Sequence, residues 1–403
     1  MPVLTRRNLL AGFIGAGAAG ALASTSILSW NDVVLAANDR PLATNTPILV
    51  LITLYGGNDG LNTLVPFDED AYHDARPELA YEPDEVLKLD GQYGLNPGLK
   101  GMAKMFDDGS LAIVRGVGYP NPDRSHFRSM DIWQCASVDG SLSTGWIGRW
   151  LDANGRDPLA ALHFGRLVPT LALGDSTTAA VFPNEAGFSK QSAKLLKALS
   201  KEHPDDSPAM KMVSASYRAA IRVDSEFETL LAEGGPLSEI ESGGSRLARQ
   251  LDSVAACIAA DVPTRVYSVE QGGFDTHADE KGTQEKLLKT LDSAVARFMK
   301  KIAGSDRGKD VIVMAYSEFG RRVKANASDG TDHGTAGPVF VFGDKVKGGF
   351  YGDDPSLTDL KDDDLAVTTD FRDVYHEILL RGLESDPEPI LGKKRRNIGF
   401  LNA

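Results

Sequence analysis

Asp275 and His277 stand two residues apart behind Gly272-Gly273, in the stretch GGFDTH. On extended backbone, residues two apart face the same side, so this carboxylate and imidazole would point together. Such a pair holds a metal ion or shares a proton, and a hydrogen-bonded turn can use the same residues. Asp332-His333-Gly334 offers a second carboxylate and imidazole. Its glycine relieves the turn in which adjacent side chains converge, and an Asx-turn is the plainer use. Glu318 follows the apolar run 311–316 after a single serine. A carboxylate buried there has to be paired or bound to a cation. Arg321 or Arg322 would serve as partner, and having two leaves one for an anionic substrate. Asn58-Asp59 follow Gly56-Gly57 in a composition that also makes tight turns. Ser125-His126 opens a helical pattern. There a serine hydroxyl either caps the helix or stands exposed as a nucleophile, and the helix dipole favours negative charge. Asp59, Asp275, His277, Glu318 and His333 together supply oxygens and two imidazoles. That set suits Zn²⁺, Mn²⁺ or Mg²⁺ better than a soft-metal or iron–sulfur site.

These residues need elements that bring them together. PILVLITLYGG (47–57) is a continuous apolar run, the pattern of a strand buried on both faces. LAIVRGVGYP (111–120), VPTLALG (168–174), TRVYSVEQGG (264–273), DVIVMAY and PVFVFG read as further strands. GLKGMAKMFDDGS, SHFRSMDIWQCA, SRLARQLDSVAACIAA, TQEKLLKTLDSAVARFMKKIAG and DFRDVYHEILLRGL carry apolar residues at helical spacing. SAKLLKALSKE and YRAAIRVDSEFETLLAE share it, which makes 188–260 mainly helical. Strands alternating with helices predict an α/β three-layer sandwich, a mostly parallel sheet with helices on both faces. In such sheets ligands bind beyond the carboxyl ends of the strands. YGGNDG, GYPNPDRSHF, GGFDTH and SEFGRR all follow strands, so all four would reach one rim.

The N-terminus, LTRRNLLAGFIGAGAAGALA, joins Arg6-Arg7 to a mildly apolar run of small residues and resembles a twin-arginine export signal. Spanning a membrane takes about 20 strongly apolar residues, and this stretch is too weak for a stable span. Small residues offer cleavage near Ala36 or Ala37. The expected organisation is a signal over 1–37 and a single domain over 38–403, with a helical embellishment at about 188–260. The destination is the periplasm or the exterior, through the twin-arginine export machinery. GAGAAG (15–20) matches a dinucleotide fingerprint but lacks the preceding strand that fingerprint requires. Among 403 residues, 42% are hydrophobic and 25% charged, an ordinary globular composition. The net charge of −13 and the lack of a basic block exclude nucleic acid as a partner. The two cysteines, Cys135 and Cys257, do not make a disulfide scaffold.

The twin-arginine start, LYGGNDGLNTLVP, GVGYPNPDRSHFRSMDIWQ, GWIGRWLD, GGFDTH, SEFGRRV and GTDHGTAGPVFVFG resemble an exported bacterial family, domain of unknown function 1501. The resemblance runs from the signal to about residue 351. It implies a fold similar to the alkaline phosphatase–sulfatase superfamily, an α/β sandwich with metal ligands at strand ends. It further implies that Asn58-Asp59 supply an acid, Ser125 a nucleophile, Asp275 and His277 a shortened ligand motif, and His333 a late ligand. One place departs. Where that superfamily commonly has adjacent Asp-His, this chain has Glu318-Phe319, and Phe319 cannot bind a metal.

The resulting expectation is an exported metal-assisted hydrolase of phosphate or sulfate esters. Ser125, His126, Arg321 and Arg322 are its candidate catalytic residues, and Asp59, Asp275, His277, Glu318 and His333 its candidate ligands for Zn, Mn or Mg. Its substrate would be an anionic small molecule or a sulfated or phosphorylated glycan. The alternative is a non-catalytic periplasmic binding or assembly protein on the same fold.

Overall fold

A computed structural model describes residues 30–165, 168–182, 244–393 and 395–402, with five isolated positions between 197 and 204. The expected signal and most of the 188–260 block therefore lie outside the described residues.

The chain opens with helix α1 (Trp30–Asp39) and strand β1 (Ile48–Leu54). Strands β2 (Leu64–Val65), β3 (Leu87–Lys88) and β4 (Gly94–Leu95) form a small antiparallel sheet around helix α2 (Asp70–Ala75). Then come α3 (Lys100–Asp107), β5 (Leu111–Gly118), α4 (His126–Cys135), α5 (Trp146–Ala153), β6 (Ala161–Phe164) and β7 (Ala180–Phe182). After the undescribed stretch follow α6 (Arg246–Ala259), β8 (Val266–Gln271), α7 (Glu280–Ala303), β9 (Val311–Ser317) and β10 (Gly337–Phe342). Strands β11 (Gly349–Tyr351) and β12 (Thr369–Asp370) and helices α8 (Phe371–Glu377) and α9 (Glu388–Leu391) complete the order.

The large sheet runs β11-β5-β10-β9-β1-β8-β6-β7, with β12 also on β5. Every described pairing is parallel except those of β10 with β5 and β9. Being antiparallel to both neighbours, β10 leaves β5 pointing the same way as β9, β1 and β8. The link from β9 back into β10 is a direct return over 318–336, so it stays at the rim where β9 ends. This geometry delivers four strand ends to one edge.

Side-chain alternation builds the layers. Along β1, Ile48, Val50, Ile52 and Leu54 join the core under α1, α3, α6 and α7. Leu49 and Leu51 join the opposite core, with Trp133 of α4, Trp146 and Trp150 of α5, and Phe371 and Tyr375 of α8. Strand β9 divides likewise: Val311, Val313 and Ala315 go to the first core, and Ile312, Met314 and Tyr316 to the second. All seven residues of β1 are buried, so it has no polar face, as its sequence requires. Helices on both faces of a mostly parallel sheet make the expected three layers.

One strand expectation fails. Residues 168–174 hold a 3₁₀ turn, Thr170–Ala172, and not a strand. Pro169 lacks the N–H a ladder needs, and Leu171 N instead donates to Gln134 Oε1 (3.1 Å). The sheet positions belong to β6 and β7, which are too short to show a period. Cys135 and Cys257 are both buried and unpaired, and burial pushes the Cys135 thiol up to about 12. Among the described residues, no helix is long and apolar enough to cross a membrane.

Candidate metal centre

Strand β1 stops at Gly56 and Gly57, both at positive φ (118° and 71°). A Cβ on Gly56 would lie 2.5 Å from the Asp275 backbone nitrogen, and one on Gly57 2.3 Å from the Phe319 ring. Only glycine lets these three loops close on each other. Arg321 ties them. It is 1% exposed, and its guanidinium donates to the carbonyls of Gly56, Gly57 (2.7 Å), Phe274 (2.9 Å) and Thr331 (2.9 Å). It also donates to Asp275 Oδ1 at 2.8 Å.

Asp275 Oδ1 is the hub of the rim. Beyond Arg321, it lies 2.9 Å from His277 Nε2, 3.0 Å from His333 Nε2 and 3.3 Å from His126 Nε2. His277 Nε2 and His333 Nε2 are 3.0 Å apart. One ligand atom each from His126, Asp275 and His333 lies within 4.8 Å of the other two.

The outer ring nitrogens also face acceptors. His126 Nδ1 faces Glu318 Oε1 (2.8 Å), His333 Nδ1 faces the Arg124 carbonyl (2.8 Å), and His277 Nδ1 faces Asp332 Oδ1 (3.3 Å). All three partners are acceptors, so a neutral ring that keeps its proton on Nδ1 bares its Nε2. Three lone pairs then face one carboxylate oxygen. That arrangement is repulsive unless a ring gains a proton or a cation enters. His126 Nε2 is buried and makes no hydrogen bond. Tetrahedral ligands about 2.0–2.1 Å from zinc stand roughly 3.3 Å from each other, close to the separations here. Imidazole nitrogens backed by carboxylates and a carbonyl are also the usual outer support of a metal site. The residues fit a divalent ion.

Charge shapes the same groups. Burial would raise the Asp275 carboxyl, but the hydrogen bond and the charge of Arg321 hold it well below the usual range. The hydrogen bond to Glu318 raises His126 above an ordinary histidine, against the opposing effect of burial. Burial also opposes the lowering of Asp332, which Asn326 and His277 bring about.

Among the residues singled out from sequence, Asp275, His277 and His333 meet, and His126 meets them. Glu318 is 1% exposed and stands behind His126, paired with that ring and with no arginine. Phe319 lies beneath the cluster, its ring 4.9 Å from His126 and 5.0 Å from His333. Ser125 is exposed at the N-cap of α4, and its side chain makes no capping bond. Arg322 lies 3.9 Å from Asp364, which also holds Arg124.

Asp59 lies apart from the cluster. It is fully buried against Arg76 Nη1 (2.5 Å), from the end of α2. Glu280, at the start of α7, hydrogen-bonds Asp59, and burial followed by the Asp59 charge pushes Glu280 up to about 9. Arg76 and the Glu280 contact hold Asp59 below its ordinary value despite burial. Sequence gave no sign of Arg76 or Glu280. Nor could it reveal the Arg124 carbonyl, since a backbone acceptor has no residue signature.

No curated protein matches the chain. Solved structures that resemble it include a protein in the alkaline phosphatase superfamily from Vibrio parahaemolyticus. That likeness has 12% identity over 84% of this chain and 74% of the other, with a TM-score of 0.35. The C-terminal periplasmic domain of EcEptC from Escherichia coli, in complex with Zn, gives 10% identity, 75% and 76% coverage and a TM-score of 0.38. The alkaline phosphatase of the Antarctic bacterium TAB5 gives 10%, 85% and 100%, and 0.39. Likeness at this level transfers no activity. The family model of DUF1501, a protein of unknown function, matches residues 180–394, later at both ends than the motifs read by eye. That span exceeds half of the chain and contains Asp275, His277, Glu318 and His333, so this protein belongs to the DUF1501 family of unknown function.

Proposed function

We propose that the chain is an exported metal-dependent hydrolase of phosphate or sulfate esters, reaching the periplasm or exterior by the twin-arginine route. One observation carries this reading: His126, His277 and His333 turn their Nε2 atoms toward a single Asp275 oxygen, and each Nδ1 meets an acceptor behind the ring. Nitrogen and oxygen donors of this kind suit zinc, with manganese or magnesium as alternatives. A bound divalent ion supplies polarisation of an ester oxygen and a lower pKa for the attacking group.

The chain's own residues do the rest. His126, Asp275, His277 and His333 hold the ion. Ser125, exposed one residue before His126, acts as nucleophile in this reading. The first-turn N–H groups of α4 lack intrahelical acceptors and favour the anionic group of a phosphorylated or sulfated small molecule or glycan.

The test has two parts. Protein purified without chelator is expected to carry near-stoichiometric zinc or manganese, which Asp275→Ala and His333→Ala lose. A panel of phosphate and sulfate esters with metal supplied is expected to show turnover that Ser125→Ala abolishes. Metal-free protein that cannot be loaded would end this reading.

A second reading rests on the arginines. Arg321 is consumed by four carbonyls and Asp275, while Arg124 and Arg322 face Asp364. A metal-loaded protein silent on the whole panel, yet binding sulfated or phosphorylated sugars, would be a binding protein.

A further inference from the structure

We infer that Glu318 serves the metal centre from behind, as the positioning residue for His126, and that the centre holds one ion; this rests on the metal reading above. The sequence position of Glu318, at a strand end among acids and histidines, equally suits a ligand. The geometry points elsewhere. Glu318 Oε1 accepts from the Gly56 N–H (2.9 Å) and from His126 Nδ1 (2.8 Å). Ser317 Oγ stands 3.0 Å from Oε2. The carboxylate is 1% exposed, and both of its oxygens are engaged.

Glu318 therefore meets the imidazole at Nδ1, across the ring from the Nε2 that lies 3.3 Å from Asp275. It cannot also touch an ion held at Nε2. What it does is fix the tautomer and the tilt of His126, because a carboxylate that accepts a hydrogen bond from Nδ1–H leaves Nε2 free for the ion. His126 begins α4, and a first-turn side chain is otherwise poorly fixed. Gly56, at the end of β1, and Ser317, at the end of β9, anchor the carboxylate to the two central strands. The rim thus sets the ring by way of Glu318.

The neighbouring residue closes the space a second ion would need. Phe319 is 3% exposed and presents its ring to both His126 and His333. An aromatic wall offers no donor for a dication. With Glu318 turned to Nδ1 and Phe319 beside it, the described rim has a single set of convergent ligand atoms.

Zinc titration of the metal-free full-length protein, with affinity read by competition against a chromogenic chelator, tests this. Wild type is expected to bind one zinc per chain. Glu318→Gln is expected to bind one zinc about 10- to 100-fold more weakly, with the metal-free unfolding midpoint near wild type. Glu318→Asp keeps the charge but withdraws it from Nδ1, and a similar loss is expected. The Co²⁺ absorption spectrum of both variants should change as His126 tilts. Two ions in wild type and one in Glu318→Gln would make Glu318 a ligand and overturn the inference. Unchanged zinc affinity in both variants would reduce Glu318 to packing and overturn it as well. Wild type that binds no zinc would instead remove the metal reading beneath it.

Discussion

Asp59 and Asp275 are both aspartates just past the end of a central strand, on the same rim, yet the fold uses them in opposite ways. Asp275 is half exposed, and one of its oxygens gathers Arg321 and three imidazoles. Asp59 is fully buried, with Oδ2 on Arg76, and lies beside a Glu280 whose carboxyl is pushed up by burial and by the Asp59 charge. Arg76 in turn donates to the carbonyls of Val323 (2.7 Å) and Arg322 (2.6 Å). In the buried group a cation and a carboxylate offset each other inside the protein. The rim group is open: three ring nitrogens face one carboxylate oxygen, and His126 Nε2 has no hydrogen-bond partner among the described residues. An acid at a strand end is therefore no evidence of a site until its partners are known; what separates the two is whether the partners are donors or further acceptors.

That contrast is broken most directly at Arg76. Arg76→Met leaves Asp59 and Glu280 buried without their cation, and losing one partner of a buried pair costs about 3–5 kcal/mol. Denaturant unfolding should show this loss, while zinc stoichiometry of the folded fraction stays as in wild type. Loss of zinc binding in a folded Arg76→Met protein would mean that the two groups are one unit.

A second effect should follow from pH. In the unfolded chain Asp59 and Glu280 titrate near ordinary carboxyl values, about 4. In the folded protein Glu280 is raised to about 9 and Asp59 is lowered. For the raised group, stability is fully present below the unfolded value and is lost as pH rises toward 9, because the unfolded state releases the proton first. For the lowered group, stability is present above the unfolded value and is lost as pH falls. The pair thus favours folding most near pH 4 to 5, with a limiting slope of about 1.4 kcal/mol per pH unit on either side. Glu280→Gln removes the upper arm. Its stability measured from pH 5 to 9 should be flatter than that of wild type, with the gap widening toward pH 9. A parallel decline in both proteins would show that Glu280 does not hold the proton.

The sheet was legible because its central strands are continuous apolar runs; β1 and β9 stand out in sequence for the same reason that they are buried on both faces. Strands β6 and β7, with four and three residues, carry no period to detect. Helix α7 begins at Glu280, before the apolar spacing starts, since in its first turn Glu280 turns to the Asp59 group, Lys281 reaches the Ala80 carbonyl and Gly282 is exposed. Convergence of Asp275, His277 and His333 followed from parallel strand direction alone. The segment carrying His126 was expected at the same rim because it follows β5, but the return of α4 that sets its ring directly against residues more than a hundred positions later has no sequence signature. Glu318 could be recognised as a buried acid needing a partner, but arginine looked the natural choice, and the histidine that takes the role is far away in sequence.

The smallest effect concerns two phenylalanines on either side of His126. Phe319 is buried beneath the ring, whereas Phe127, the next residue along α4, is 91% exposed. If Glu318 and Phe319 fix His126 from below, nothing above the ring is needed to hold it. Phe127→Ala should then change stability by no more than about 0.5 kcal/mol, as for exposed positions without a special role. Zinc affinity should be unchanged within error, with the same Co²⁺ spectrum as wild type. A clear loss of zinc affinity in Phe127→Ala would show that the first turn of α4 is steadied from its outer face as well, and the support of His126 would have to be divided between the two sides.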